Sequence, residues 1–283
     1  MIFSDEDKCD SNAERFFSPH YKTDYNKELL FTNNYICHFL VCKAQLMKDL
    51  LLRKEFDGAQ DFDFVLRATD YVNCEKEEGE AVSICHIPMI LYHWRCHENS
   101  TAQNPESKMY AYEAGKLAIE DHLKAKGLKG EVSFTRNLGF YRVKYEVMRE
   151  ELISIIIPNK NQIEMLEKCI TSIEKSSYKN YEIIIVENNS TEEKTFAYYE
   201  KITGKPYMAD ATVEGTLSNG NRICVVTWEG LQKGEFNYSA VNNLGVKATS
   251  GEYILLLNND TEVITVNWIE ELLMYAQRAD VGA

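Results

Sequence analysis

The chain lacks most of the short signatures that would assign it quickly. It has no GxGxxG after a strand and no GxxxxGK[ST], so the two common phosphate loops are absent. Its eight cysteines never fall two residues apart, which excludes zinc knuckles and dithiol redox motifs. Basic charge is in deficit: 31 Lys and Arg against 44 Asp and Glu leave −13, and no general affinity for nucleic acid is expected. No run of eighteen apolar residues exists, so no membrane-spanning helix is expected. The first ten residues, MIFSDEDKCD, lack the basic and apolar regions of a secretion signal. Scattered cysteines read as reduced core thiols, and the expected location is the cytoplasm, with the inner face of a membrane as an alternative.

What is present is a core-forming composition, 45% hydrophobic over 283 residues. From 151 onward the pattern is regular. ISIIIP (153–158) is a short isoleucine-rich run ended by proline and reads as a strand buried on both faces. Residues 162–176 carry apolar side chains at 163, 166, 169, 170 and 173, which is helical spacing. YEIIIVENNS (181–190) repeats strand then polar turn. A helix at 192–202, a strand at 222–230, a helix at 236–251 closed by Gly251, a strand at 253–260 and a helix at 266–279 follow. Strands alternating with helices imply an α/β, Rossmann-like parallel sheet, whose ligands sit beyond the carboxyl ends of the strands. Those ends read Pro-Asn-Lys-Asn, Glu-Asn-Asn-Ser and Asn-Asn-Asp.

The first half is less regular. Helices are expected at 44–56, 61–72 and 109–127, one or two strands at 81–97, and a β-hairpin at 130–147 turning near Asn137-Leu138-Gly139. Three segments result: 1–126, a hairpin or linker at 127–150, and 151–283.

SIIIPNKN, EIIIVENNST and NNLGVKATSGEYILLLNNDTEV, in that order, resemble the nucleotide-binding half of family 2 glycosyltransferases with the GT-A fold. FSDEDK (3–8), FDGAQDFDFVLR (56–67) and ILYHWRCHENST (90–101) resemble the other, acceptor-side half. The resemblance implies the acceptor half of one domain followed by the donor half of a second, as in tandem bacterial polysaccharide- or rhamnan-synthesis proteins. A single permuted unit, formed in cis or across a homodimer, stays open.

The resemblance also implies chemistry: inverting transfer of a sugar from a UDP- or dTDP-sugar to a glycan acceptor, with Mg2+ or Mn2+. Pro158, Asn159, Asn161, Glu187, Asn188 and Asn243 would grip the nucleotide, and Arg95 would meet the diphosphate. The usual aspartates are replaced at 187 and 188, which leaves the base open. Asp5 and Asp7, two carboxylates one residue apart at a strand end, would hold the metal, with His97 as a third contact. Asp260 is the charged member of the second element. Asp61 would be the general base, with Asp63 competing and an N-cap as the plain alternative for Asp61. His86 and His93, in the apolar strand pattern, are expected to pack. Phe62, Phe64, Tyr110 and Tyr112 are expected in the core rather than on a sugar platform. A degenerate, non-catalytic nucleotide-binding module is the rival reading, supported by Asn258.

Overall fold

The computed structural model describes residues 1–74, 84–96, 109–230 and 237–282. The chain forms two compact units, Met1–Glu146 and Val147–Ala283.

The first unit is built around β1 (Ile2–Cys9). Strands β2 (Phe16–His20) and β3 (Leu40–Val41) pair with it antiparallel, and β4 (Cys85–Arg95) pairs with it parallel. Short helices α1 (Lys27–Leu30) and α2 (Ala44–Leu50) lie between these strands in sequence. The helix expected over 44–56 stops at Leu50, where Leu51 turns to φ 51°, and only a single 3-10 turn follows at Lys54–Phe56. Helices α3 (Gln60–Cys74) and α4 (Met109–Ala125) pack on each other. Strands β5 (Gly130–Phe134) and β6 (Tyr141–Tyr145) form the expected hairpin, which lies within this unit. Phe62 and Phe64 are 3% and 1% exposed, so they are core residues.

The second unit carries the parallel sheet. Its strands are β7 (Ile153–Asn159), β8 (Tyr181–Glu187), β9 (Val213–Thr216), β10 (Arg222–Thr227) and β11 (Tyr253–Leu256), in the order β11-β7-β8-β10-β9. All are parallel except β9, an antiparallel edge that the sequence pattern did not reveal. Helices α5 (Ile163–Glu174), α6 (Glu193–Thr203) and α8 (Trp268–Ala276) cover one face against Ile153, Ile155, Ile157, Ile183 and Ile185. Helix α7 (Tyr238–Lys247) covers the other against Ile156, Ile184, Val186 and Cys224. Each isoleucine so buried contributes roughly 1.5–3 kcal/mol.

Two local expectations change. Pro158 does not end β7, because the neighbouring β11 stops at Leu256, opposite Ile156, so the N–H that proline lacks is not needed there. Helix α7 ends at Lys247 and not at Gly251. Gly251 serves a close approach instead: a Cβ there would lie 2.6 Å from Leu152 O and 2.5 Å from Ser154 Oγ. Below the sheet, Glu182, 1% exposed, accepts from Ser154 Oγ at 2.6 Å, Ser250 N at 2.6 Å and Arg222 Nη1 at 2.5 Å.

Two predictions follow from packing. A Cβ on Gly245 would lie 2.5 Å from Ile156 Cγ2 and 2.9 Å from Val186 Cγ2. Gly245→Ala is therefore expected to lift α7 and lower stability by about 1–3 kcal/mol in urea unfolding. His122, buried between α4 and the Phe31 ring, has its pKa pushed below the ordinary value by burial, with Lys126 and Lys27 adding to the effect against Asp70. The unfolded chain then binds the extra proton first, so stability is intact above about pH 6.5 and falls as pH drops through the window below it. The difference in urea midpoint between pH 7.5 and pH 5.5 should shrink in His122→Gln.

Candidate functional site

In the second unit the strand ends converge as the register requires. Asn159 pairs with Glu187 across β7 and β8, and Leu257 N donates to Ile156 O at 2.9 Å, bringing residues 258–260 alongside. One buried hydrogen-bond chain joins these ends. Asn259 Nδ2 donates to Asn159 Oδ1 at 2.7 Å, and Asn159 Nδ2 donates to the Tyr199 hydroxyl at 2.8 Å. That hydroxyl donates to Glu187 Oε2 at 2.7 Å, where Ser190 Oγ also donates at 2.7 Å. Ser190 N donates to Glu187 Oε1 at 2.5 Å. Burial first, then the facing Glu187 carboxylate, push the Tyr199 phenol far above its ordinary pKa, so it remains a donor. Asn161, at φ 53°, accepts from Thr191 N and Glu192 N and donates its own N–H to Ser190 Oγ. Asparagine tolerates that left-handed backbone better than most residues.

The sequence-chosen residues Pro158, Asn159, Asn161, Glu187 and Asn188 are thus brought together. Their accessibility differs from expectation. Glu187 is 1% exposed and Asn159 2%, with their polar atoms engaged by protein, so they form a buried floor beneath the strand ends. Lys160, between Asn159 and Asn161, is exposed. Asn243 is exposed on α7 and makes no cap, that role falling to Asn237, whose side chain accepts from Ala240 N. It is Asn242 that is buried. It precedes Gly245, which rests on the sheet, by three residues, and its Oδ1 has no partner among the described residues. Asp260 is exposed, and its two neighbours Asn258 and Asn259 are uncharged.

In the first unit, Asp5 and Asp7 lie inside β1 and not at its end. The strand runs on to Cys9 because β4 pairs with residues 5–9 on one side and β2 with 6–9 on the other. Burial then demands partners. Asp5 Oδ1 accepts from Lys22 N at 2.9 Å and lies 2.8 Å from His86 Nε2. Asp7 Oδ1 lies 2.5 Å from His93 Nδ1. His86 and His93 therefore pair with carboxylates as well as packing on Phe3 and Phe16. Only the β1–β4 register, which the sequence does not display, brings them there. Glu6, unremarked in the sequence, accepts from His38 N at 3.0 Å and lies 3.3 Å from His20 Nδ1. Burial raises its pKa, but His20, Lys22 and the His38 N–H outweigh this and hold it below the ordinary carboxylate range. A cleft of about 610 Å³ opens beside these groups, lined among others by Glu6, Asp7, His20, Trp94, Tyr112 and Phe140.

Asp61 is exposed in the first turn of α3, where Asn34 Nδ2 donates to Oδ2 at 3.1 Å, and it does not line that cleft. Gly58, at φ +98°, makes the turn before it, and the Gln60 side chain accepts from Gly58 N at 2.8 Å. Asp63 is 1% exposed and clamped by Arg53 and Arg67. Burial raises its pKa, but the two guanidinium groups win and keep it an anion. It is a structural ion and not a free base. Arg95 ends β4 exposed, with Nη1 3.3 Å from Ser11 O. His97 lies outside the described residues. Among the described residues, no three His, Cys, Asp or Glu side chains form a group that could hold a metal.

Comparison with known proteins decides the lineage. Residues 154–283 match the model of Glycosyl transferase family 2. The second unit is a domain of glycosyl transferase family 2. The chain is similar along its whole length to an uncharacterized protein, y4gI, of Sinorhizobium fredii, at 34% identity over 290 residues and 28% of that protein. It is also 33% identical over 285 residues to the O-antigen biosynthesis protein RfbC of Myxococcus xanthus, again over 100% of this chain and 20% of that one. Glycosyltransferase GlyG of Streptococcus pneumoniae is 27% identical over 130 residues, 46% of this chain and 36% of its own. The chain thus spans less than a third of the length of the first two relatives.

The ion triad separates the two aspartates of α3. Asp63→Ala strands two arginines and is expected to lower stability by about 3–5 kcal/mol, whereas Asp61→Ala should change it by less than about 0.5 kcal/mol, both read in urea unfolding.

Proposed function

We propose that this chain contributes to glycosyl transfer from a nucleoside diphosphate sugar to a glycan acceptor in surface-polysaccharide synthesis. The observation that carries this reading is the convergence of the polar ends of β7, β8 and β11 in a family 2 domain. The whole-length likeness to a protein named for O-antigen biosynthesis supports the polysaccharide context. The second unit is the donor half, its buried floor leaving Asn161, Lys160 and Asp260 near a UDP- or dTDP-sugar, with Asn188 beneath them. The first unit is the acceptor half of a preceding domain, with Asp61 as the base that takes the acceptor's proton and inverts the sugar centre.

For Mg2+ or Mn2+, the expected Asp5 and Asp7 are each already paired with a histidine, and no three ligating side chains gather among the described residues, so the described residues supply only part of a metal site. Such an ion would neutralise the leaving diphosphate. Asp260 stands as a lone carboxylate among the described residues of its segment, and that observation favours a second reading, in which the second unit binds nucleotide without catalysing transfer.

Calorimetry with UDP, dTDP and GDP, with and without Mn2+, tests both. Binding of a nucleoside diphosphate, weakened at least about tenfold in Asn159→Ala, is expected. Metal-strengthened binding lost in Asp260→Ala favours the enzyme reading of the second unit. Binding indifferent to metal favours the nucleotide-binding module. No binding of any of the three overturns both.

A further inference from the structure

The Tyr199 ring comes from α6, not from any strand end or motif turn, yet its oxygen is the node of the buried floor. It is 1% exposed. It donates to Glu187 Oε2 at 2.7 Å and accepts from Asn159 Nδ2 at 2.8 Å. Asn159 uses its other amide atom, Oδ1, to accept from Asn259 Nδ2 at 2.7 Å. Removing the hydroxyl alone would leave Asn159 Nδ2 without its acceptor and would free the Asn159 amide to rotate. Asn259 would then lose its anchor, and Glu187 would keep only Ser190. The ring itself is held separately, against Phe196 at 6.3 Å and Tyr207 at 5.8 Å between centroids, so a phenyl group can occupy the same place.

We propose that Tyr199 is a positioning residue for the nucleotide site: through one oxygen it fixes the β7 and β8 ends, and through Asn159 the 258–260 segment, in a single arrangement for the donor nucleotide. This rests on the donor-half reading above. The energetic logic is preorganisation: groups already held in the binding geometry lose less freedom when the ligand arrives. The chain of bonds also predicts non-additivity, because Tyr199 and Asn259 are two links of one path.

The test uses the full chain and UDP, with dTDP and GDP in parallel, titrated calorimetrically at 15 °C. Thermal midpoints are taken for every variant. Tyr199→Phe and Asn259→Ala are each expected to weaken binding about tenfold, and the double variant by not much more than either alone, rather than by the hundredfold product. Tyr198→Phe, on the same helix and outside the path, should bind as the native chain does. A merely structural hydroxyl would lower the thermal midpoint and leave affinity of the still-folded protein unchanged, and that result overturns the proposal. So does full multiplicative loss in the double variant, which would make the two residues independent. Failure of the native chain to bind any of the three nucleotides overturns the donor-half reading and this inference with it; equal affinity of native and Tyr199→Phe overturns this inference alone.

Discussion

Glu187 closes β8 with a carboxylate that is 1% exposed, and everything around it follows from the need to compensate that charge. Ser190 supplies its N–H and hydroxyl, and Tyr199 supplies a phenol from α6. To deliver the two Ser190 donors, the chain after β8 must turn back, with Asn189 at φ 56°. To receive Tyr199, α6 must lie against the β7–β8 end. The polar strand ends are therefore a braced platform and not a set of loose loops carrying ligand contacts.

The same rule recurs wherever this acidic chain takes a carboxylate inside. Glu182 is met by Arg222, Ser154 and a backbone N–H. Asp63 is met by two arginines. Asp5, Glu6 and Asp7 are met by His86, His20 and His93. The partners differ in what they permit. Arginine pairs lock an anion in place and remove it from chemistry. Histidine pairs hold the carboxylate through a single ring nitrogen and leave the other ring nitrogen for a second partner. That contrast separates Asp63 from Asp7 more sharply than their positions in any motif.

The fold of the second unit was largely legible, because isoleucine runs and 3.6-residue periodicity state which faces are buried. Its four parallel strands and four helices stand close to where the pattern put them. The misses have local causes. Strand β9 is an edge of four residues containing a glycine, too short to alternate visibly. Pro158 looked like a terminator because a sequence does not show how far the neighbouring strand extends. Pro158, Asn159, Asn161, Glu187 and Asn188, chosen from motif order, lie together at the strand ends. Asn243 lies on the exposed side of α7, while its neighbour Asn242 is buried, a difference of helix phase that a motif does not display.

By itself the sequence determined the layered α/β order, the family, and which polar residues would meet at the ends of the strands. These depend on local periodicity and on residues near one another in the chain. Only the tertiary structure decided which of those polar groups face a ligand and which are consumed as scaffold. That depends on partners far away in sequence: Tyr199 and Asn259 for Asn159, His93 for Asp7. A carboxylate carries the same letter whether a phenol forty residues from its neighbouring strand holds it or water does, and only packing distinguishes the two.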